Sequence, residues 1–124
     1  VVGFQAALKF VESLDFAKLA AWETYLLDLL VTGMQKIPEV QIFGTLENKA
    51  PIVAFNLKGA HHSDVAQILD EQGVEVRAGH HCAQPLMGCL EATGTIRVSL
   101  SIYNNEEDVQ RFLKALAKAK EILL

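Results

Sequence analysis

The sequence predicts an α/β fold of the α+β kind, with a small mixed or antiparallel sheet of about four strands and helices packed on it. Two long stretches near the start have helical apolar spacing, and four short apolar or alternating runs follow between further helical stretches. These strands fall in two groups with connections of mixed length, which fits this arrangement better than a doubly wound parallel sheet. At 124 residues, we expect a single domain spanning residues 1–124.

Two helices are predicted at the start of the chain. Residues 1–14 carry apolar side chains at helical spacing, and the segment Ser13-Leu14-Asp15 offers a break with an N-cap for the next helix. The stretch 16–36 is the longest periodic element, and Pro38 ends it. The apolar positions are Phe4, Ala7, Leu8 and Val11 in the first helix, and Leu19, Trp22, Leu26, Leu29, Leu30 and Gly33 in the second.

The middle of the chain alternates between strands and a helix. Residues 40–43 are predicted as a strand, followed by a turn marked by Gly44 and Asn48. Residues 51–57 are nearly continuously apolar, which predicts a strand covered on both faces. A helix over residues 61–72 ends at Gly73, and residues 74–77 form the next short strand.

The last third predicts a short helix, a strand and a closing helix. Pro85 begins the short helix, which runs through Leu90. Residues 95–102 alternate as a strand does, and Asn104 is predicted to cap the final helix in a capping box with Glu107. The apolar stripe of that helix comprises Val109, Phe112, Leu113, Leu116 and Leu123.

Composition excludes several classes of function. The net charge of -4 and the scattered Lys and Arg residues do not support nucleic-acid binding. The chain contains no run of eighteen apolar residues, so we expect no membrane span. Two cysteines seven residues apart make no disulfide framework, which favours the reducing cytoplasm. The start V-V-G-F-Q is not a signal peptide, and its abrupt apolar character suggests a fragment of a longer chain.

The segment 74–85, V-E-V-R-A-G-H-H-C-A-Q-P, carries the candidate chemistry. It places Cys82 on a loop between a strand and a helix, with Arg77, His80 and His81 as cationic or potentially cationic neighbours. Such neighbours and a following helix N-terminus favour the thiolate, which is the nucleophilic form. A buried structural role is the commoner fate of a lone cysteine, but this position favours a reactive thiol.

Two further residues of this region have local interpretations. Gly79 suits a loop that must turn sharply or move, because glycine adopts backbone angles that other residues avoid. Cys89 lies on the predicted short helix beside apolar Met87 and Leu90, so we expect it to be a buried structural cysteine.

The histidines leave two possibilities open. His80 and His81 could be acid/base groups, or they could join His61, His62 and Cys82 as zinc ligands. Adjacent histidines do not easily aim both rings at one ion, and neither C-x-x-C nor H-x-x-x-H spacing occurs. We therefore predict no metal site, and interpret the first histidine pair as polar residues at a helix start.

Arg97 lies inside the alternating strand I-R-V-S-L. An arginine at such a position is either solvated on the open face of the sheet or directed at an anion. Its planar guanidinium suits a carboxylate, with which it can form two parallel hydrogen bonds. The residues alone do not decide between the two.

The motif R-A-G-H-H-C-A-Q-P-L-M, followed by G-T-I-R-V-S-L-S-I-Y-N-N-E-E-D-V, resembles the C-terminal segment of the Suf-type (group II) cysteine desulfurases. These are fold-type I pyridoxal-phosphate (PLP) enzymes of the class V aminotransferase family, and the resemblance runs essentially end to end. It implies the small C-terminal domain of such an enzyme. In that family the loop cysteine attacks the sulfur of cofactor-bound cysteine, alanine leaves, and the sulfur passes to a scaffold or SufE-like acceptor for iron–sulfur cluster assembly.

The resemblance assigns roles to residues of this chain. Cys82 matches the nucleophile that becomes a persulfide, and Arg97 matches the arginine that binds the substrate carboxylate. Arg77, His80 and His81 match residues that build the active-site loop, which also contains the glycine before the two histidines.

The resemblance also implies what the sequence lacks. The family's PLP-bearing lysine lies in a His-Lys motif of the large domain, and none of this chain's lysines sits in such a motif. We therefore expect the PLP-binding large domain to be absent, no cofactor to bind this chain alone, and the isolated chain to be inactive. The full-length enzyme would bind PLP upstream in the same chain and form a homodimer. The alternative is a stand-alone persulfide carrier or interaction module, and a metal-binding domain is a third, less favoured one.

Overall fold

The computed structural model describes residues 1–45 and 49–124, and these form five helices and one four-stranded sheet. This mixed α/β architecture confirms the predicted fold class. In chain order the elements are α1 (Val2–Glu12), α2 (Phe16–Gln35), β1 (Val40–Phe43), β2 (Ile52–Leu57), α3 (His62–Glu71), β3 (Arg77–Gly79), α4 (Gln84–Cys89), β4 (Thr95–Ser99) and α5 (Glu106–Leu123).

The sheet is antiparallel throughout, with the strand order β1-β2-β4-β3. Its register pairs Val53 with Val98 and Phe55 with Ile96, and all four side chains are buried. Side chains alternate between the two faces of a strand. The sheet therefore has a core face, which carries these residues, and a second face, which carries the residues between them.

Helices α2, α3 and α5 contribute the rest of the hydrophobic core. The rings of Phe55 in β2 and Phe112 in α5 meet edge to face, with centroids 5.8 Å apart. Helix α2 approaches α5 closely at Gly33, where an added Cβ would lie 2.2 Å from Leu113 Cδ1. The fully buried helix side chains include Leu26, Leu30, Met34, Val65, Leu69 and Leu116.

Helix α1 lies where it is predicted but buries none of its residues in the described part of the chain. Phe4 is 70% exposed, and Leu8 and Val11 are 47% and 42% exposed. An apolar stripe at helical spacing normally faces a packing partner. The stripe of α1 therefore forms an exposed apolar surface, and Phe16 at the start of α2 is also exposed, at 59%.

Strand β3 occupies residues 77–79, so it begins three residues later than the predicted strand over 74–77. Val74 instead closes helix α3, because its N–H donates to the carbonyl of Leu69 at 2.9 Å and the N–H of Gly73 donates to that of Asp70 at 2.8 Å. This is the Schellman arrangement, with Gly73 in the left-handed conformation at φ +72°. The predicted helix end at Gly73 is confirmed, and the strand can begin only after it.

Strand β4 and helix α5 also differ in their bounds from the predictions. The strand ends at Ser99: the Leu100 N–H still donates to Pro51 O at 2.8 Å, but proline has no N–H to donate in return, so the ladder stops there. The α5 cap is Asn105, whose side chain accepts from the Asp108 N–H while the Asp108 carboxylate accepts from the Asn105 N–H. The predicted cap at Asn104 is thus wrong by one residue. Asn104 instead accepts from the Ser101 N–H at 2.9 Å.

Strand β2 is covered on one face, not on both as predicted. Val53, Phe55 and Leu57 are buried, whereas Ala54 and Asn56 are partly exposed. The reason is that the helices of the core pack against one side of the sheet. The predicted turn residue Asn48 lies outside the described residues. Within the described ranges, no helix combines the length and apolarity needed to cross a membrane.

Candidate functional site

Two arginines oppose each other on the second face of the sheet. Arg77 in β3 and Arg97 in β4 are direct partners in the antiparallel ladder, and Ala54 of β2 flanks Arg97 on its other side. Like charges directly opposite each other destabilise a sheet. An anion bound between the two guanidinium groups would remove that repulsion, so this pair forms a candidate anion site.

The environment of Arg97 differs from that of a solvated surface arginine. Arg97 is partly buried, and its Nε atom is inaccessible to water and lacks a hydrogen-bond partner in the part of the chain that the structure describes. A guanidinium has only donors, and buried donors are normally paired. A carboxylate would provide two acceptors in the matching geometry. Arg77, in contrast, is exposed.

The turn that carries Cys82 directly follows β3. Gly79 ends the strand with φ +118°, a conformation that strains any other residue. Ala83 then donates its N–H to His80 O at 2.9 Å, and the two central residues have positive φ, 54° at His81 and 58° at Cys82. Left-handed conformations at non-glycine residues cost about 1–3 kcal/mol each and are kept where surrounding contacts enforce them. Cys82 is exposed in this turn.

One side-chain contact fixes the turn to the sheet. His81 Nε2 lies 3.0 Å from Thr95 O and 2.9 Å from Thr95 Oγ1, and Thr95 is 1% exposed. A carbonyl oxygen only accepts, so Nε2 must carry the hydrogen. The other ring nitrogen, Nδ1, is buried and unpaired within the described ranges. The thiol turn is therefore connected to the same strand that carries Arg97.

A second histidine packs against the residue that precedes this strand. The ring of His62 lies against Gly94, where an added Cβ would be 2.3 Å from His62 Nε2. Burial lowers the pKa of His62. The neighbouring imidazoles of His61, His80 and His81, which are positively charged when protonated, lower it further. The rings of His61 and His62 have centroids 4.1 Å apart. This cluster favours the neutral form of His62 at neutral pH.

The histidine pairs have separate structural places. His61 is the N-cap of α3, with Nδ1 accepting from the Ser63 N–H at 3.3 Å, which confirms a polar residue at a helix start. His80 is an exposed residue of the Cys82 turn. Among residues 1–45 and 49–124, no group of three or more His, Cys, Asp or Glu side chains is placed to hold a metal ion.

The second cysteine is not buried as the sequence suggests. Cys89 is exposed, while Met87 of the same helix is buried. Two residues along a helix turn a side chain by roughly 200°, so the helix α4 buries its methionine and presents its cysteine to solvent. The wrong prediction came from counting apolar neighbours in sequence instead of helix faces.

The structure brings the sequence-predicted residues to one end of the sheet. Arg77 and Gly79 in β3 pair with Arg97 and Thr95 in β4, and the turn with His80, His81 and Cys82 follows directly. Thr95 is the member of this group that the sequence did not single out. Its alternation with Arg97 along T-I-R could have indicated a shared face.

Asn56 is a second polar residue that the sequence did not single out. It lies on the second face of β2, and its Nδ2 donates to Gly94 O at 2.8 Å. Its Oδ1 is buried and has no partner among the described residues. It thus supports the turn that precedes Thr95, and its short polar side chain in an apolar strand was the available signal.

A family model, aminotransferase class-V, matches residues 1–112. Among curated proteins, a probable cysteine desulfurase of Xylella fastidiosa (strain 9a5c) is 40% identical over 122 residues, covering 98% of this chain and 29% of the relative. One of Pseudomonas putida (strain KT2440) is 42% identical over 123 residues, covering 99% and 30% respectively. The chain thus spans about a third of the length of these relatives.

Solved structures give the same result at the level of the fold. The cysteine desulfurase CsdA (S-sulfonic acid) of Escherichia coli matches with a TM-score of 0.92 at 35% identity, covering 99% of this chain and 30% of that one. The apo cysteine desulfurase of Thermococcus onnurineus NA1 matches with a TM-score of 0.89 at 34% identity, covering 97% and 30%.

Proposed function

Because the chain belongs to the aminotransferase class-V family, we propose that it is the sulfur-accepting C-terminal domain of a Suf-type (group II) cysteine desulfurase. The reaction converts L-cysteine to L-alanine and leaves the sulfur as a persulfide on Cys82. The observation that carries this proposal is the exposed thiol of Cys82 in a strained turn, joined through His81 to the strand of Arg97. The cysteine desulfurase relatives at 40% and 42% identity support it.

Arg97 is the proposed ligand of the substrate carboxylate. Arg97 is partly exposed, and its planar guanidinium matches the two carboxylate oxygens. Arg77, its cross-strand partner, adds a second positive charge to the same face. The substrate is therefore held by its carboxylate while its sulfur remains available to the thiol.

The proposed chemical step transfers one sulfur atom. Cys82 Sγ, as thiolate, forms a bond to the sulfur of the held cysteine while the bond from that sulfur to carbon breaks. The electron pair of the broken bond stays with the substrate carbon, which takes up a proton to give alanine. PLP, when bound, supplies the electron sink that makes this bond cleavage possible.

The residues on the second face do not themselves fit PLP. The cofactor is held in such enzymes by a lysine Schiff base and an Asp or Arg partner for the ring nitrogen. The described strands present no lysine on that face, so no residue there can form the Schiff base; the face comprises Gln41, Phe43, Ile52, Ala54, Asn56, Arg77, Gly79, Thr95, Arg97 and Ser99. We assign the cofactor to a PLP-binding large domain, as in a full-length enzyme.

Helix α1 supports the proposal that this chain packs on such a large domain. Its apolar stripe, including Phe4, Leu8 and Val11, is exposed in the described part of the chain. A full-length enzyme of this kind would form a homodimer, act in the cytoplasm and pass sulfur to a SufE-like acceptor for iron–sulfur cluster assembly.

The second candidate is a stand-alone persulfide carrier. The exposure of Cys82 favours it, because an accessible thiol can accept sulfur from a separate protein. Such a carrier would need no PLP of its own. Arg97 and its unpaired Nε would then have no substrate to bind.

The deciding experiment joins this chain to the preceding part of the Pseudomonas putida relative, in place of the region that it matches. With bound PLP verified by absorbance, we expect alanine release from cysteine and a Cys82 adduct of one sulfur atom by mass spectrometry. Cys82→Ala should abolish both, whereas Cys89→Ala, at the other exposed thiol, should not. Equal alanine release by the Cys82→Ala protein would contradict the assignment.

A parallel measurement separates the two candidates. The isolated chain is incubated with cysteine and a separate active desulfurase, and the mass of Cys82 is measured. A sulfur adduct there favours the carrier, whereas none there together with activity of the joined protein favours the domain of an enzyme.

A further inference from the structure

The turn of residues 80–83 holds a conformation that its own residues do not favour. Both central positions have positive φ, and neither His81 nor Cys82 is a glycine. Turns of this kind are dominated by Gly, Asn and Asp. The one backbone hydrogen bond within the turn, from Ala83 N to His80 O at 2.9 Å, forms in left-handed and right-handed turns alike. It therefore does not select the left-handed conformation.

The contact that can select this conformation is the imidazole of His81. It spans fourteen positions along the chain to reach the carbonyl and the hydroxyl of Thr95 at 3.0 and 2.9 Å. Thr95 is an immobile anchor, because it is 1% exposed and lies in β4, which is hydrogen-bonded to strands on both sides. A side chain held at both ends fixes the backbone from which it projects.

The same strand carries the anion site. Thr95 and Arg97 are two positions apart, so their side chains share a face and their Cα atoms are about 7 Å apart. The imidazole of His81 therefore connects the backbone beside Cys82 to the strand that carries Arg97. The distance between the Cys82 thiol and the Arg97 guanidinium depends on this hydrogen-bonded link.

We propose that His81 is a positioning residue, whose hydrogen bonds to Thr95 hold the Cys82 turn at a fixed distance from Arg97. This rests on the proposed function of Cys82 as the sulfur-accepting thiol. Without the link the thiol remains exposed but is no longer held towards the substrate sulfur. Binding of the carboxylate at Arg97 is unaffected. The loss should appear in kcat and leave KM unchanged.

The first test examines the isolated chain and needs no enzymatic activity. In His81→Ala the Ala83 N–H should exchange with deuterium about five- to thirtyfold faster, as expected for the loss of one or two hydrogen bonds of about 1 kcal/mol each. Thr95→Val removes the hydroxyl and keeps the carbonyl, so a smaller increase is expected. His81→Gln can still donate to that carbonyl and should exchange nearly as slowly as the native chain.

Two controls keep this result specific to the turn. His61→Ala removes a different imidazole, one that accepts a backbone hydrogen bond at the cap of α3, and should leave Ala83 exchange unchanged. The alkylation rate of Cys89, an exposed thiol outside the turn, should be equal in all variants if the fold is intact. Unchanged exchange in His81→Ala would overturn the link.

The second test measures kinetics in the joined enzyme. We expect His81→Ala to lower kcat for alanine release by about ten- to a hundredfold, the range for a reacting group misplaced by about 1 Å, with KM unchanged. His81→Gln should recover most of the rate. If exchange rises but kcat does not change, the link exists without a positioning role.

The two tests distinguish failure of this inference from failure of the proposed function. If the joined enzyme with native sequence binds PLP but forms no persulfide on Cys82, the proposed function fails. The positioning role of His81 would then be contradicted as well. The exchange measurement would still decide whether His81 holds the turn.

Discussion

Arg77 and Arg97 are direct cross-strand neighbours, so two positive charges occupy adjacent positions on one face of a four-stranded sheet. A sheet built for stability alone would pair one of them with a carboxylate. No salt bridge involves either arginine among the described residues, and the Nε of Arg97 is buried without a partner. The paired arginines therefore favour a bound anion and lower the stability of the chain when no anion is bound.

Arg77→Gln should therefore stabilise the chain. We expect the free energy of unfolding to rise by about 0.2–1 kcal/mol at low salt, the range for a cross-strand pair. The gain should shrink in 1 M salt, where the Debye length is about 3 Å. Urea unfolding at two salt concentrations measures it, and a loss of stability at low salt would contradict the repulsion.

Arg97→Lys should weaken binding of substrate in the joined enzyme. A lysine keeps the charge but loses the two parallel hydrogen bonds. We expect KM for cysteine to rise about 10- to 100-fold, as for the loss of a hydrogen bond to a charged group worth about 1.5–3 kcal/mol. Steady-state kinetics measure it. Arg111→Lys, at an exposed position of α5, is the matched control and should leave KM unchanged.

The stability of the chain should fall as the pH drops below about 6.5, the usual pKa of histidine. The folded-state pKa of His62 is lowered, first by burial and then by His61, His80 and His81. Between the two pKa values the unfolded chain binds more protons than the folded chain, so the free energy of unfolding rises with pH in that window. His62→Gln should flatten this slope in thermal unfolding from pH 8 to 5. Parallel curves for the two proteins would exclude His62 as the source.

Gly33→Ala should destabilise the chain although alanine is the better helix former. Replacing glycine within a helix gains about 1 kcal/mol. The new Cβ would lie 2.2 Å from Leu113 Cδ1, and overpacking of this kind costs typically about 1–3 kcal/mol. We expect a small net loss of stability by urea unfolding.

A double variant tests whether that loss comes from the contact with Leu113. Adding Leu113→Ala makes room for the new methyl group, so Gly33→Ala should become stabilising in that background. Equal effects of Gly33→Ala in both backgrounds would show that the two residues do not interact.

Local signals predicted most of the fold. Helix α2 and strand β1 lie within one residue of their predicted bounds because the periodic stretch, the cap before it and Pro38 after it are all local. Gly73 ends α3 as predicted for the same reason. The sequence predicted a mixed or antiparallel sheet of about four strands but not the order of the strands. Strand order and pairing depend on contacts between residues distant in sequence.

The errors arose where two local patterns compete. Asn104 and Asn105 each precede an acidic residue by three positions, and only the turn from Ser101 decides that the second one is the cap. The run V-E-V alternates like a strand, but pairing with β4 selects residues 77–79.

The candidate site was predictable as a list of residues and not as an arrangement. The motif around Cys82 indicated a reactive thiol, and the strand of Arg97 indicated two alternatives. The hydrogen bond from His81 to Thr95 spans fourteen residues and has no local signature. The exposure of Cys89 likewise depends on which face α4 turns to the core.

The position of β4 between β2 and β3 has a consequence for peptide mimics of this site. A synthetic peptide of residues 74–90 would contain the thiol, both histidines of the turn and Arg77, yet it would have no β4 to pair with. Nothing would hold its two central residues at positive φ, and they would relax to the ordinary right-handed or extended conformations. In such a peptide the Cys82 thiol would lie in an unstructured segment that also contains the cationic Arg77. The chemistry of this turn therefore requires the folded sheet and cannot be carried by the motif alone.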